Sequence, residues 1–319
     1  MTNATLPQGS DKPLDSLGFM AYSILLTVVT LVAGALLVFT LTALTKANCI
    51  THVLRVFLAN LLLAGLMAAM AVGLTTGTSI VLVASDADQA SPSQYLCRVY
   101  MWMFGVGAVA RLWNLAAFSL SVLAIVRFGK RSISCCCAAV ILTTLWIVPI
   151  VITLYTLLPK LFAAHFVHGV ACFPDNNSTD VISQARYTLL AAWVMVGGVT
   201  PLTISIVVPI VCLCYIRQRV VKEEAQHRKV MAKFSLFLVI GGAINIVGQL
   251  VPGLIPFYSE TAAVYLCYGI AAVSLFPTPI IIIAYLKPVQ QQAVKMISCG
   301  RLAKATKDSR WTTNDPGSN

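Results

Sequence analysis

Long apolar runs, nearly free of charge, alternate along this chain with short polar stretches. Seven are present, at about 18–44, 53–83, 97–127, 135–159, 187–215, 230–257 and 261–286. One helix needs roughly 20 apolar residues to cross the hydrocarbon core of a bilayer. The pattern therefore predicts an all-α membrane protein, a bundle of seven transmembrane helices. The second run is the weakest, because a polar stretch at 75–79 interrupts it. The first seventeen residues are polar and the first run is too long for a cleavable signal peptide. Past the seventh run, "KPVQQQAVKMISCG" sets Val289, Ala293, Met296 and Ile297 at i, i+4, i+7 and i+8, with glutamines and Lys295 between them. That spacing predicts a short amphipathic helix lying on the membrane. The expected organisation is an extracellular N-terminus over 1–17, the seven-helix body over 18–286, the surface helix over 287–299, and a polar, disordered cytoplasmic tail over 300–319.

Composition agrees, and charge adds orientation. The chain is 58% hydrophobic and 10% charged, too little charge to cover a soluble domain of this length. All eleven acids fall outside the apolar runs. With the N-terminus outside, Lys46, Arg55, Arg127, Lys130, Arg131, Arg217, Arg219, Lys222, Arg228, Lys229, Lys233 and the tail basics face the cytoplasm, against only Lys12, Arg98, Lys160 and Arg186 on the other side. That asymmetry follows the positive-inside rule. The net charge of +11 then reflects topology and a basic face toward anionic lipid, and calls for no nucleic-acid partner.

The same orientation places the glycosylation triplets that start at Asn3, Asn176 and Asn177 on the outer side. Of the ten cysteines, only Cys97 and Cys172 lie at or beyond an outer boundary. They are either bridged or two unpaired thiols, and the oxidising outer compartment favours the bridge. Cys299 sits just past the amphipathic stretch, and Cys135, Cys136 and Cys137 open the fourth run. Juxtamembrane cysteines of this kind are candidates for S-palmitoylation or remain free thiols.

Several motifs carry a family resemblance. "NLLLAGL" from Asn60 is similar to an Asn-Leu-Ala-x-Ala-Asp stretch, with Gly65 in the place of the aspartate. Gly34 is followed by Ala35 in place of an asparagine. Trp146 and Pro149 mark the fourth helix, and Tyr215 stands near the end of the fifth. "FPTPIIIIAYLKP" is similar to Asn-Pro-x-x-Tyr, with Thr278 for the Asn, Ile282 for the Tyr, and Tyr285 nearly one turn later. With the seven runs and the cysteine pair, the chain resembles a divergent rhodopsin-like (class A) G-protein-coupled receptor over about 18–299. The Cys-Trp-x-Pro motif is missing from the sixth run, where Gly241, Gly242 and Pro252 are the flex points. "LSVLAI" at 120–125 resembles the end of the third helix, with Leu120, Ser121 and Val122 in place of Asp-Arg-Tyr. In that register Arg127 is a boundary residue that snorkels to the interface or tunes coupling.

The resemblance implies a plasma-membrane, multi-pass receptor. It would turn binding of an extracellular ligand, with a chemosensory one among the candidates, into activation of a heterotrimeric G protein as the sixth helix swings outward. The switch region would involve Ser121, Arg127, Tyr215 and Tyr285. The place of the family's sodium site would fall to Gly65, Arg111, Ser274 and Thr278. No carboxylate lies within the runs and the four histidines sit in loops or at helix ends, so neither an intramembrane enzyme nor a proton pump is expected. No cofactor or metal is called for, and the seventh run has no lysine for a retinal Schiff base. The alternative is a seven-helix transporter or ligand-gated channel uncoupled from G proteins.

Arg111 is the single cation deep within a run. It is expected either to substitute for the sodium ion, with Ser274, Thr278 and Asn114 among its partners, or to point into a wet cavity or at a neighbouring helix. An anionic ligand held by it is a third reading. Phe104, Ala108 and Arg111 share one helical face at i, i+4 and i+7. Phe104 and Ala108 are thus candidates to line a ligand pocket above Arg111, joined by Trp193, Asn245, Gln249, Tyr265 and Tyr268. Ordinary helix packing is the competing role for each of these.

Overall fold

The computed structural model describes residues 13–47, 52–84, 91–128, 135–157, 164–167, 171–174, 193–219, 240 and 261–298. Among them the chain forms α1 (Pro13–Lys46), α2 (His52–Ala84), α3 (Ser91–Phe128), α4 (Cys135–Thr153) and a 3₁₀ turn (Leu154–Leu157). A hairpin follows, β1 (Ala164–Val167) and β2 (Ala171–Pro174). A π-helical turn (Trp193–Val199) then leads into α5 (Thr200–Arg219), followed by α6 (Thr261–Val273), α7 (Pro277–Tyr285) and α8 (Lys287–Ile297). The first five apolar runs each hold one of α1–α5, and α6 and α7 share the seventh. Apart from Ile240, the sixth run lies outside the described residues.

Met20–Lys46, His52–Val81, Tyr95–Ala124, Met195–Cys212 and Tyr268–Tyr285 are long and apolar enough to cross a membrane, and Val140–Thr153 is a shorter apolar helix. Leu25, Leu31, Val81 and Leu266 lie more than half exposed on the outside of the bundle. Such a surface suits lipid rather than water. The polar stretch at 75–79 stays helical because its hydroxyls are satisfied within their own helix. Thr75 Oγ1 donates to Ala71 O at 2.8 Å, Thr76 Oγ1 to Val72 O at 3.0 Å, and Ser79 Oγ to Thr75 O at 2.7 Å.

Among the described helices α3 is the most enclosed and packs against α2, α4, α5 and both strands, while α1 joins α2 to α6, α7 and α8. Small residues bring the axes together, since helices in lipid associate largely through close packing. At Gly107 a β-carbon would stand 2.8 Å from the Ala68 amide nitrogen and 3.0 Å from the Ala64 carbonyl oxygen. α2 and α3 therefore meet backbone to backbone at that point. Thr27 Oγ1 donates to Thr76 Oγ1 at 2.9 Å, tying α1 to α2.

The seventh run is broken rather than continuous. Pro277 and Pro279 each remove a backbone donor, and the chain turns tightly between α6 and α7. Leu275 N donates to Ala272 O and Phe276 N to Val273 O, both at 3.2 Å. α8 then leaves α7 at Leu286, whose N–H still donates to Ile282 O at 3.1 Å. Val289 and Ala293 are buried, while Ile297 is 73% exposed. The apolar pattern did not foresee the hairpin between the fourth and fifth runs. Its four-residue strands pair in antiparallel register, with Phe166 opposite Cys172, and both pack against α3.

Candidate functional site

The break in the seventh run shapes the polar centre of the bundle. Arg111, in the middle of α3, is 3% exposed. Its Nη2 donates to the Ser274 carbonyl at the break and to Thr278 Oγ1 in the first turn of α7, both at 3.5 Å. These bonds sit at the long limit for such contacts, so they compensate the charge only weakly. Nη1 is buried without a partner among the described residues, and so is Asn114 Oδ1 one turn along the same helix. The Asn114 amide nitrogen donates back to Ala110 O at 2.7 Å.

Gly65 completes this centre from α2. A β-carbon there would lie 3.6 Å from Arg111 Nε and 3.3 Å from Leu37 Cδ2. Gly65 of α2, Arg111 of α3, Ser274 of the break and Thr278 of α7 thus meet at one place. A sodium ion does not fit this donor set. A hard cation asks for carboxylate and other oxygen ligands; here Gly65 offers no side chain, and the buried guanidinium of Arg111 fills the centre.

Phe104 is half-buried and Ala108 is buried on the same α3 face. Tyr268 of α6 is half-buried, with its hydroxyl 4.0 Å from Met101 Sδ. The backbone of Trp193 opens the π-helical turn and that of Tyr265 lies in α6, but neither side chain is among the described ones. Asn245 and Gln249 lie outside the described residues.

At the end of the bundle that carries Lys46, Arg55 and Arg127, Ser121 is buried and its Oγ donates to Ala117 O at 2.8 Å. Ser121 lines a groove toward α4. Val122, twenty-five residues after Cys97, enters the core instead, with Phe118 and Leu61. Arg127 is exposed in the last turn of α3, and Tyr285, 39% exposed, ends α7. Tyr215 belongs to α5, but its side chain is not described.

Cys97 is fully buried in α3 and disulfide-bonded. Cys172 lies in β2, which packs against α3. Asn3, Asn176, Asn177 and Cys299 lie outside the described residues. Among the described residues no group of three or more His, Cys, Asp or Glu side chains is placed to hold a metal.

Two features escaped the sequence reading. The Trp146 indole N–H donates to Asn60 Oδ1 at 3.4 Å, linking α4 to α2. Both residues stood out as motif positions, but nothing in the sequence paired them. The other is the groove of about 490 Å³ between α3, α4 and α5. Its signal was present as small residues at helical spacing: Ala117, Ser121 and Ala124.

With this geometry in place, known structures give the class of fold. The chain superposes on the crystal structure of squid rhodopsin with a TM-score of 0.67, over 95% of this chain and 88% of that one, at 13% sequence identity. The fold is that of a rhodopsin-like seven-helix bundle. No family model matches the sequence, and no curated protein does either.

Proposed function

We propose that the chain is a G-protein-coupled receptor of the plasma membrane that converts binding of an extracellular ligand into activation of a heterotrimeric G protein. The observation that carries this reading is the rhodopsin-like course of the backbone over 95% of the chain. A ligand acts here by shifting an equilibrium between two packings, and only as far as its affinities for them differ. In this reading the ligand enters above Arg111, against Phe104, Ala108 and Tyr268, with Trp193, Asn245, Gln249 and Tyr265 completing the pocket. The sixth span, 230–257, swings outward at the basic, cytoplasmic end. Arg127, Tyr215 and Tyr285 border the cleft that receives the G protein, and Ser121, turned toward α4, supports it from the side.

Arg111 takes a distinct part in this account. It is a permanent cation in the place of a bound sodium ion, tying α3 to the break between α6 and α7. Loss of the acid at Gly65 and gain of the guanidinium belong together: without the acid no sodium ion is held, and the space it leaves is filled by the guanidinium, whose Nε lies 3.6 Å from the β-carbon position of Gly65. On the outer side, Cys97 pairs with Cys172 to hold the hairpin against α3, and Asn3, Asn176 and Asn177 carry glycans. Cys299 is an S-palmitoylation site that pins the end of α8 to the bilayer.

Cells expressing the full chain with G-protein dissociation sensors, challenged with a ligand library and recorded in parallel for ion flux, test the reading. Ligand-dependent dissociation without current is the expected result. Current or solute uptake with no dissociation across all G-protein classes would replace the receptor by a channel or transporter.

A further inference from the structure

The groove between α3, α4 and α5 lies on the outside of the bundle, clear of the centre around Arg111. On α3 its wall is Ala117, Ser121 and Ala124, at i, i+4 and i+7; on α4 it is Val140, Thr144 and Val148, each four residues apart, with Ile204 of α5 adjoining. Both stripes follow the helical period, so the groove runs along the helices rather than across them. Its two hydroxyls are already engaged: Ser121 Oγ with Ala117 O at 2.8 Å, and Thr144 Oγ1 with Val140 O at 3.0 Å. The wall they leave suits a hydrocarbon chain.

The sequence supplies one. Continuing the α4 stripe by one turn of four residues reaches Cys136, and Cys137 stands four before Ile141, which also lines the groove. These cysteines belong to the first turn of α4, at the basic end where membrane acylation occurs. From Cys136 to Val148 the helix rises about 18 Å. The fatty chains of one leaflet fill roughly half of the ~30 Å hydrocarbon core. A chain anchored at Cys136 is therefore about the length of the groove.

We propose that the Cys135–Cys137 cluster is S-acylated, principally at Cys136, and that the fatty chain lies in this groove as a covalent filler between α3, α4 and α5. In the step the cysteine sulfur attacks the carbonyl carbon of a long-chain acyl-coenzyme A. A new sulfur–carbon bond forms, the bond to the coenzyme A sulfur breaks, and the thiol proton passes to the departing coenzyme A thiolate. Nothing is oxidised or reduced. Tethering favours this chain over free bilayer lipid, because a linked occupant is present at high effective concentration. The proposal stands independently of any ligand or G protein.

The experiment feeds cells expressing the full chain a palmitate analogue with a terminal alkyne and a mid-chain diazirine. The label is expected to be retained in Cys299→Ser with all three of Cys135, Cys136 and Cys137 intact. A chain that keeps only Cys136 of that cluster is also expected to retain it. The triple serine variant at 135, 136 and 137, with Cys299→Ser, is expected to lose most of the label at unchanged surface expression. After photolysis, wild-type crosslinks fall within the same chain, on α3 between Ala117 and Ala124 or on α4 between Thr144 and Val148. In Thr144→Phe, which fills the groove from an exposed position, the label stays and the crosslinks move to lipid. Label that survives in the triple variant with Cys299→Ser overturns the modification site. Wild-type crosslinks confined to bilayer lipid overturn the groove as its resting place.

Discussion

At the scale of single residues, Arg111 is where stability and function pull apart. A charged side chain in mid-membrane costs on the order of 2.5–3.5 kcal/mol on insertion scales. Bonds to a charged group return about 1.5–3 kcal/mol at good geometry, and its two bonds to Ser274 and Thr278, stretched to 3.5 Å each, fall to about 0.5–1.5 kcal/mol apiece. The cost wins, so Arg111→Met should raise the thermal midpoint, by the equivalent of about 1 kcal/mol, followed by tryptophan fluorescence. The same variant should alter basal signalling, because the tie between α3 and α7 is gone. A fall in the midpoint would mean that Arg111 has stronger compensation than these bonds supply. Gly107 gives the opposite case. Its β-carbon position lies 2.8 Å from backbone of α2, and backbone yields less readily than a side chain. Gly107→Val should cost at least the ~1–3 kcal/mol usual for overpacking, read as lost surface expression.

This scale was also the least legible in the sequence. Arg111 was conspicuous as a lone cation in an apolar run, and its level relative to Gly65 and Thr278 followed from motif spacing. Side-chain direction was harder. The likeness of "LSVLAI" put Ser121 in the position of the missing arginine; in the fold Ser121 lines the groove toward α4 and Val122 enters the core. Neighbouring positions on a helix point about 100° apart, so a one-residue ambiguity that barely alters a motif changes which side chain faces a cleft.

At the scale of elements, apolar runs marked where helices lie but not how they break. The seventh run reads as one span, and its prolines divide it into α6 and α7 around the Ser274 carbonyl that receives Arg111. Replacing Pro277 with Ala restores a backbone donor and allows the helix to run through. Hydrogen exchange is the direct measure. The new amide and its neighbours near Ser274 should gain protection, and agonist-independent activity should shift with them. Unchanged protection would show that packing, not proline, imposes the break. The hairpin stayed hidden because its four-residue strands carry too few positions for a period-two pattern to register.

At the scale of the whole molecule, α1 closes the bundle by joining α2 to the α6–α7 pair and to α8. Val289 is fully buried, while Ile297 on the same short helix is 73% exposed. Val289→Asn buries an amide without a prepared partner and should cost about 1–3 kcal/mol. Ile297→Asn should leave the thermal midpoint within error, and equal effects from the two would contradict this docking of α8. The bundle itself was the most legible part of the molecule. The need to satisfy every backbone group in lipid leaves few folds open to seven apolar runs. The partner on the inner side is the central claim to test. The direct measurement is nucleotide exchange on purified heterotrimeric G proteins by the full chain in lipid nanodiscs, in sodium and in potassium buffers. The account predicts accelerated exchange with a ligand or basally, with no difference between the two cations in wild type. It also predicts a sodium effect emerging when Gly65→Asp is combined with Arg111→Ser. No acceleration with any G-protein class would contradict the receptor reading, and a wild-type response that depends on sodium would contradict the role given to Arg111.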